Sequence, residues 1–280
     1  MSASVTGLPE TRARARTDRR ECDNPTARQI FPRRTFTRCT TIGNRPYHRR
    51  VMSKPPPSSP FSMSGPPASG RASRTFKPRR GRLTRSEQDA VDTLLPAYLV
   101  EPSTSPFASA DLVLDIGVGN GETTIALASE YPEWLIVAID VHTPGLGALA
   151  RSVHEATLTN VRVVDADALD VLTWMTRPDQ IAIVNVSFPD PWPKAGQQHR
   201  RLVDASFVAL LASRIRTGGI FCFATDWTPY AQRVVEVFDA ESAFEQAATW
   251  AGRPLTKFQR RGVAAGREIT DLAYRRRVPD

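Results

Sequence analysis

The sequence predicts an α/β protein with a Rossmann-like, doubly wound, mainly parallel seven-stranded sheet. Three observations carry this. From about residue 86, short β-branched runs alternate with helical segments, the pattern of a parallel sheet covered on both faces. A glycine loop, Asp115-Ile-Gly-Val-Gly-Asn-Gly121, leaves the first run and opens the first helix. Acidic residues then stand at the ends of successive strands, at Asp115, Asp140 and Asp167, the edge where open α/β sheets carry ligands.

Taken in order, Leu112–Ile116 reads as a buried strand, Glu122–Glu130 as a helix, Leu135–Ile139 as a strand and Gly145–Ala156 as a helix. The strands continue at Val161–Val164, Ile181–Ser187 and Gly219–Ala224, with helices near 168–175, 201–215 and 229–239. Segments Ala243–Ala248 and Glu268–Tyr274 are expected to add an antiparallel edge.

The chain is 41% hydrophobic, but unevenly. Of its 37 Lys and Arg and 29 Asp and Glu, 20 and 4 fall in residues 1–85, leaving 17 and 25 beyond, so the net charge of +8 comes from the tail. A segment so basic and poor in aliphatic residues cannot bury enough surface to offset its ordering entropy. The expectation is a disordered basic tail over 1–73 and one domain over 74–280. The tail reads either as a polycation that gathers nucleic acid or as a solvated extension, and translation from Met52 or Met63 would remove most of it. No apolar run has transmembrane length, which argues against a membrane partner. Cys22, Cys39 and Cys222 match no zinc spacing, and His48, His142, His154 and His199 make no ligand set, so no metal is expected and a cytoplasmic, reducing location is.

The glycine loop departs from the NAD fingerprint, which needs Gly where Glu122 stands; a carboxylate there opposes a pyrophosphate. A phosphate-free nucleoside is favoured. Asp140 lies where an acid can accept both hydroxyls of a ribose, and Asp167 could accept from an exocyclic adenine amine. The set suits S-adenosyl-L-methionine, with its sulfonium, ribose and adenine.

Phe188-Pro-Asp-Pro-Trp-Pro-Lys194 leaves the carboxyl end of the strand 181–187 and puts a carboxylate, a flat aromatic and a cation in one loop stiffened by three prolines. Such a loop suits a planar, electron-rich base. With Asp140-Val-His-Thr-Pro-Gly-Leu-Gly147, Ala224-Thr-Asp226 and Thr256-Lys-Phe-Gln259, in that order, it resembles the tRNA (guanine-N7-)-methyltransferases, within the class I S-adenosylmethionine-dependent methyltransferases. The resemblance covers about residues 74–277. It implies cofactor contacts at Asp115, the backbone of Gly117 and Gly119, Asp140, Asp167 and Asp190, and substrate contacts at Lys194, Asp226, Thr256, Lys257, Phe258 and Gln259. It also implies methylation at N7 of guanine 46 in the tRNA variable loop; from the sequence, a monomer or homodimer is expected, with no obligate protein partner evident. Two departures stand out: Gln259 where the family usually has Glu, and Arg267 where it usually has His. Gln259 is expected to accept through its amide oxygen.

Guanine N7 carries an in-plane lone pair and no proton, so the reaction needs alignment and electrostatics rather than a general base. Asp190 is the candidate catalytic residue, placed between cofactor and base to favour the positive charge that passes onto the purine. Asp226, with Thr256 and Gln259, is the expected reader of N1–H and N2–H. Lys194 is expected to meet a phosphate. Trp192 either stacks on the base or anchors its loop. Three basic clusters, Arg79, Arg80, Arg82 and Arg85, then Arg200 and Arg201, then Lys257, Arg260 and Arg261, suggest a tRNA-binding rim. Two rival readings are methylation of an exocyclic amine and RNA binding without catalysis.

Overall fold

The computed structural model describes residues 75–76, 83–100, 107 and 111–278. The expected tail over 1–73, and Arg79, Arg80 and Arg82, lie outside the described residues. The elements are α1 (Arg85–Thr93), β1 (Leu112–Ile116), α2 (Glu122–Glu130), β2 (Leu135–Asp140), α3 (Thr143–Glu155), β3 (Val161–Asp165), α4 (Ala168–Asp170) and β4 (Ile181–Ser187). After these come α5 (Ala205–Arg214), β5 (Ile215–Thr225), α6 (Thr228–Asp239), β6 (Phe244–Gln246), α7 (Lys257–Ala264) and β7 (Thr270–Arg276).

The seven strands form one sheet in the order β3-β2-β1-β4-β5-β7-β6. Neighbours from β3 to β5 run parallel, whereas β7 pairs antiparallel with β5 and with β6. The central strands are apolar on both faces because helices cover both: every residue of β1 is buried, and so are all but the last of β4. Phe207, Phe221, Phe223, Tyr230, Phe238 and Tyr274 pack into an aromatic core between α5, α6 and the β5–β7 side. No helix among the described residues is long and apolar enough to cross a membrane.

The structure departs from the sequence reading in several places. Helix α5 begins at Ala205, not 201, because the Asp204 carboxylate accepts from Phe207 N at 2.9 Å and caps it there. The preceding residues instead pack inward, and Val203 N donates to the Tyr230 hydroxyl at 3.0 Å. Strand β5 starts at Ile215 and is longer than expected. The helix expected over 168–175 is one α turn, α4, continued by a π turn, Val171–Met175. Helix α1 went unread although Thr84 and Glu87 form a capping box.

Candidate functional site

Parallel strands place the segments after β1, β2, β3, β4 and β5 along one edge of the sheet. Because β7 runs the other way, its start lies at the same edge, with Asp271 opposite Ala224 and Thr270 opposite Thr225. Helix α7 immediately precedes that start.

At the end of β1, Asp115 is only 1% exposed. Its two oxygens accept from Thr124 Oγ1 at 2.6 Å and Asn185 Nδ2 at 2.8 Å. Burial pushes its carboxyl up to about 6, against the pull of those two hydrogen bonds. Asn185 stands opposite Asp115 across the β1–β4 pair and also donates to Ser187 Oγ at 3.2 Å. Sequence reasoning missed Asn185; the signal was one amide in an otherwise apolar strand.

Asp140 holds the glycine loop. Its Oδ2 accepts from Gly119 N at 3.1 Å, and its Oδ1 accepts from Val141 N at 2.7 Å and His142 N at 3.0 Å. A carboxylate offers about four acceptor sites, and these three main-chain donors occupy most of them. Burial raises the Asp140 carboxyl above the usual range, and the three N–H donors oppose it. Its register partner Asp165 is raised by burial and by the Asp140 charge. Asp167 caps α4, accepting from Leu169 N at 2.9 Å.

Gly119 has φ +55°, and a Cβ there would lie 3.1 Å from the Phe258 ring. Gly145 admits the backbone of that loop, since a Cβ would stand 2.5 Å from Gly119 O. Beside these close approaches lies a small open cleft lined by Gly117, Val118, Asn120, Phe188, Thr256 and Phe258. Apolar rings, exposed loop backbone and acids fit a cationic, phosphate-free nucleoside, and Glu122 at the start of α2 opposes a phosphate.

The Phe188–Lys194 loop is tied down at both ends. Phe188 N donates to Ala224 O at 2.7 Å. Phe188 and Trp192 hold φ at +53° and +42°, conformations that bulky residues keep only where their surroundings enforce them. Trp192 is 2% exposed, donates to Thr75 O at 3.1 Å and lies under the Arg200 guanidinium at 3.7 Å. It therefore anchors the loop rather than stacking on a base. Arg201 is also buried; its Nε donates to Pro191 O at 2.9 Å, and its guanidinium covers Tyr230. Arg200 and Arg201 thus brace this loop instead of forming an open basic rim. Asp190 is half-buried within the loop, and Lys194 is exposed where it turns into the 3-10 segment Ala195–Arg200.

Thr256–Gln259 form the start of α7. The buried Thr256 hydroxyl caps it, accepting from Gln259 N at 3.2 Å. Glu122 reaches across from α2: its Oε2 accepts from Lys257 N at 2.8 Å, and its Oε1 pairs with Arg260 at 2.7 Å. Gln259 turns its amide oxygen to Arg253 Nη1, at 2.8 Å. Arg253 forks onto Asp271 at 2.7 and 3.0 Å and lies over the Phe188 ring at 5.5 Å. Asp226 accepts from Arg267 Nε at 2.8 Å. Sequence reasoning singled out neither Arg253 nor Asp271 for this edge.

Residues 109–272 match the model of a methyltransferase family described as "Putative methyltransferase". A tRNA (guanine-N(7)-)-methyltransferase of Nocardioides sp. is 48% identical over 171 residues, spanning 60% of this chain and 69% of its own. The enzyme of that name from Nitrosospira multiformis is 41% identical, spanning 69% of this chain and 90% of its own. That of Thiobacillus denitrificans is 44% identical, over 60% and 76%.

Proposed function

The chain belongs to the tRNA (guanine-N7-)-methyltransferase family, and from that premise we propose that it transfers a methyl group from S-adenosylmethionine to N7 of a guanine in tRNA, guanine 46 of the variable loop. The observation that carries the reading is the convergence on one sheet edge of the Asp140-braced glycine loop, the Phe188–Lys194 loop and the start of α7.

S-adenosylmethionine supplies an electrophilic methyl on a sulfonium, which guanine N7 attacks with its own lone pair. The chain contributes position and charge. Asp115, at the head of the glycine loop, is tied to α2 through Thr124 and to β4 through Asn185. The backbone of Gly117 and Gly119 would lie against the cofactor, Asp140 would receive a ribose hydroxyl and Asp167 the adenine amine. Asp190 would stand beside the methyl donor and favour the positive charge that passes onto the purine. Two left-handed residues in its loop support a preset geometry rather than one assembled on binding. On the substrate side, Asp226 accepts from the guanine N1–H and N2–H edge, and Thr256, Lys257, Phe258 and Gln259 form the turn against which the base lies. Lys194 meets a phosphate, as does the exposed Arg261.

The test is to incubate the full chain with S-adenosylmethionine and unmodified tRNA transcript, digest to nucleosides and identify the product by mass spectrometry. The expected product is 7-methylguanosine at one variable-loop position. An exocyclically methylated nucleoside, or none, would overturn the proposal.

A further inference from the structure

Gln259 is held by an arginine, and an arginine has no acceptor to offer. Arg253 commits Nε and Nη2 to the two oxygens of Asp271, at 2.7 and 3.0 Å, leaving Nη1 to donate to Gln259 Oε1 at 2.8 Å. The fork is fixed on its other side by the Phe188 ring, which belongs to the cleft wall. With the amide oxygen turned to Arg253, the opposite end of the side chain is the NH₂ group, a donor of two hydrogen bonds.

A glutamate at this position would take the same arginine with one oxygen and present the other as an acceptor. Gln259 inverts that polarity. We propose that Gln259 reads the O6 acceptor of the target guanine through its amide NH₂, making it a specificity residue; this rests on the reading of the site as guanine N7 methyltransfer. The chemistry matches the target edge, because guanine carries O6 beside N7. Adenine carries an amine donor where guanine has O6, so two donors would face each other. The acidic acceptor Asp226 and the donor Gln259 then read complementary parts of one base.

The experiment uses the full chain and tRNAs ligated from two pieces, with guanosine, inosine or 2-aminopurine riboside at the position methylated by the wild type. Inosine keeps O6 and N1–H and loses the 2-amino group, whereas 2-aminopurine keeps the amine and loses both O6 and N1–H; the change at N1 faces Asp226, which is the same in every variant. Initial rates of methyl incorporation are compared as an inosine to 2-aminopurine ratio, in wild type, Gln259→Met and Gln259→Glu. Loss of a specific base contact is on the order of ten- to hundredfold, so the wild-type ratio is expected to exceed that of both variants by about that factor. Comparing this ratio between wild type and variant cancels the intrinsic difference in N7 reactivity between the two bases. Gln259→Glu keeps a partner for Arg253, and binding of S-adenosylhomocysteine checks that each variant retains its fold. A ratio unchanged in the variants would overturn the inference while 7-methylguanosine formation by the wild type left the underlying reading intact. Failure of the wild type to make 7-methylguanosine would overturn both.

Discussion

In the glycine-loop half of the sheet edge the acids are held by neutral donors; in the half built around α7 and the start of β7 they are partly exposed and paired with arginines. Asp115 is sealed between Thr124 and Asn185, and Asp140 accepts three main-chain N–H groups. Asp226 and Asp271, by contrast, are paired with Arg267 and Arg253, and Glu122 with Arg260. Buried carboxylates held by fixed dipoles respond to pH and tolerate little change in shape. Exposed ion pairs respond to salt and are individually weak. One edge therefore combines a rigid half, suited to a small constant ligand, with an adjustable half suited to a large polyanion.

The junction between the halves should be most sensitive. Asp190→Ala is expected to lower the single-turnover methylation rate on the order of 10²- to 10³-fold, while binding of S-adenosylhomocysteine by calorimetry weakens far less. Equal losses in both would reassign Asp190 to cofactor binding alone. Next comes Asp140→Ala, which leaves the N–H groups of Gly119, Val141 and His142 without their acceptor. It should cost about 3 kcal/mol of stability in denaturant titrations and weaken cofactor binding on the order of a hundredfold. A variant with wild-type stability would show that water replaces the carboxylate and that this half is less rigid than its hydrogen bonds imply.

The rigid half was also the legible one. Strands 112–116 and 181–187 fall where β-branched runs begin and end, because burial on both faces leaves no choice of residue type. The acids at 115, 140 and 167 announced themselves by standing at strand ends. What the sequence concealed lies in the adjustable half. Helix α7, Lys-Phe-Gln-Arg-Arg-Gly-Val-Ala, is strongly polar and buries only Gly262, and Thr256 and Glu122 hold its start. Arg253 meets Gln259 six residues on, but also Asp271 eighteen residues on, and that second contact exists only because β7 turns back antiparallel to β5. Trp192 could be read two ways from its loop, and a partner more than a hundred residues away, Thr75, decides between them.

The buried half can be tested through its protons. The Asp115 carboxyl is raised from 3.8 to about 6 by burial. A raised carboxyl binds its proton more tightly when folded, so its contribution is fully present below about 3.8 and is lost as pH rises through about 6. Asp115→Asn has no such titration, while Asp140 and Asp165 are common to both proteins and cancel in the difference. Wild type should lose on the order of 3 kcal/mol relative to Asp115→Asn between pH 3.5 and 7.5, read from denaturant midpoints at several pH values. A flat difference would mean that water reaches Asp115.

The smallest effect separates two roles within a single carboxylate. Glu122 both pairs with Arg260, whose side chain is 58% exposed, and accepts from the Lys257 amide at the start of α7. The exposed pair is worth about 0.5 kcal/mol or less and should vanish in high salt. The bond to the helix terminus closes one of the open N–H groups there and meets the positive end of the helix dipole, together worth about 1 kcal/mol. Arg260→Ala should therefore leave hydrogen exchange at the Lys257 amide nearly unchanged, whereas Glu122→Ala should accelerate it roughly fivefold. If Arg260→Ala accelerated it equally, α7 would be held to the cofactor loop by the surface ion pair, and its docking would weaken with salt.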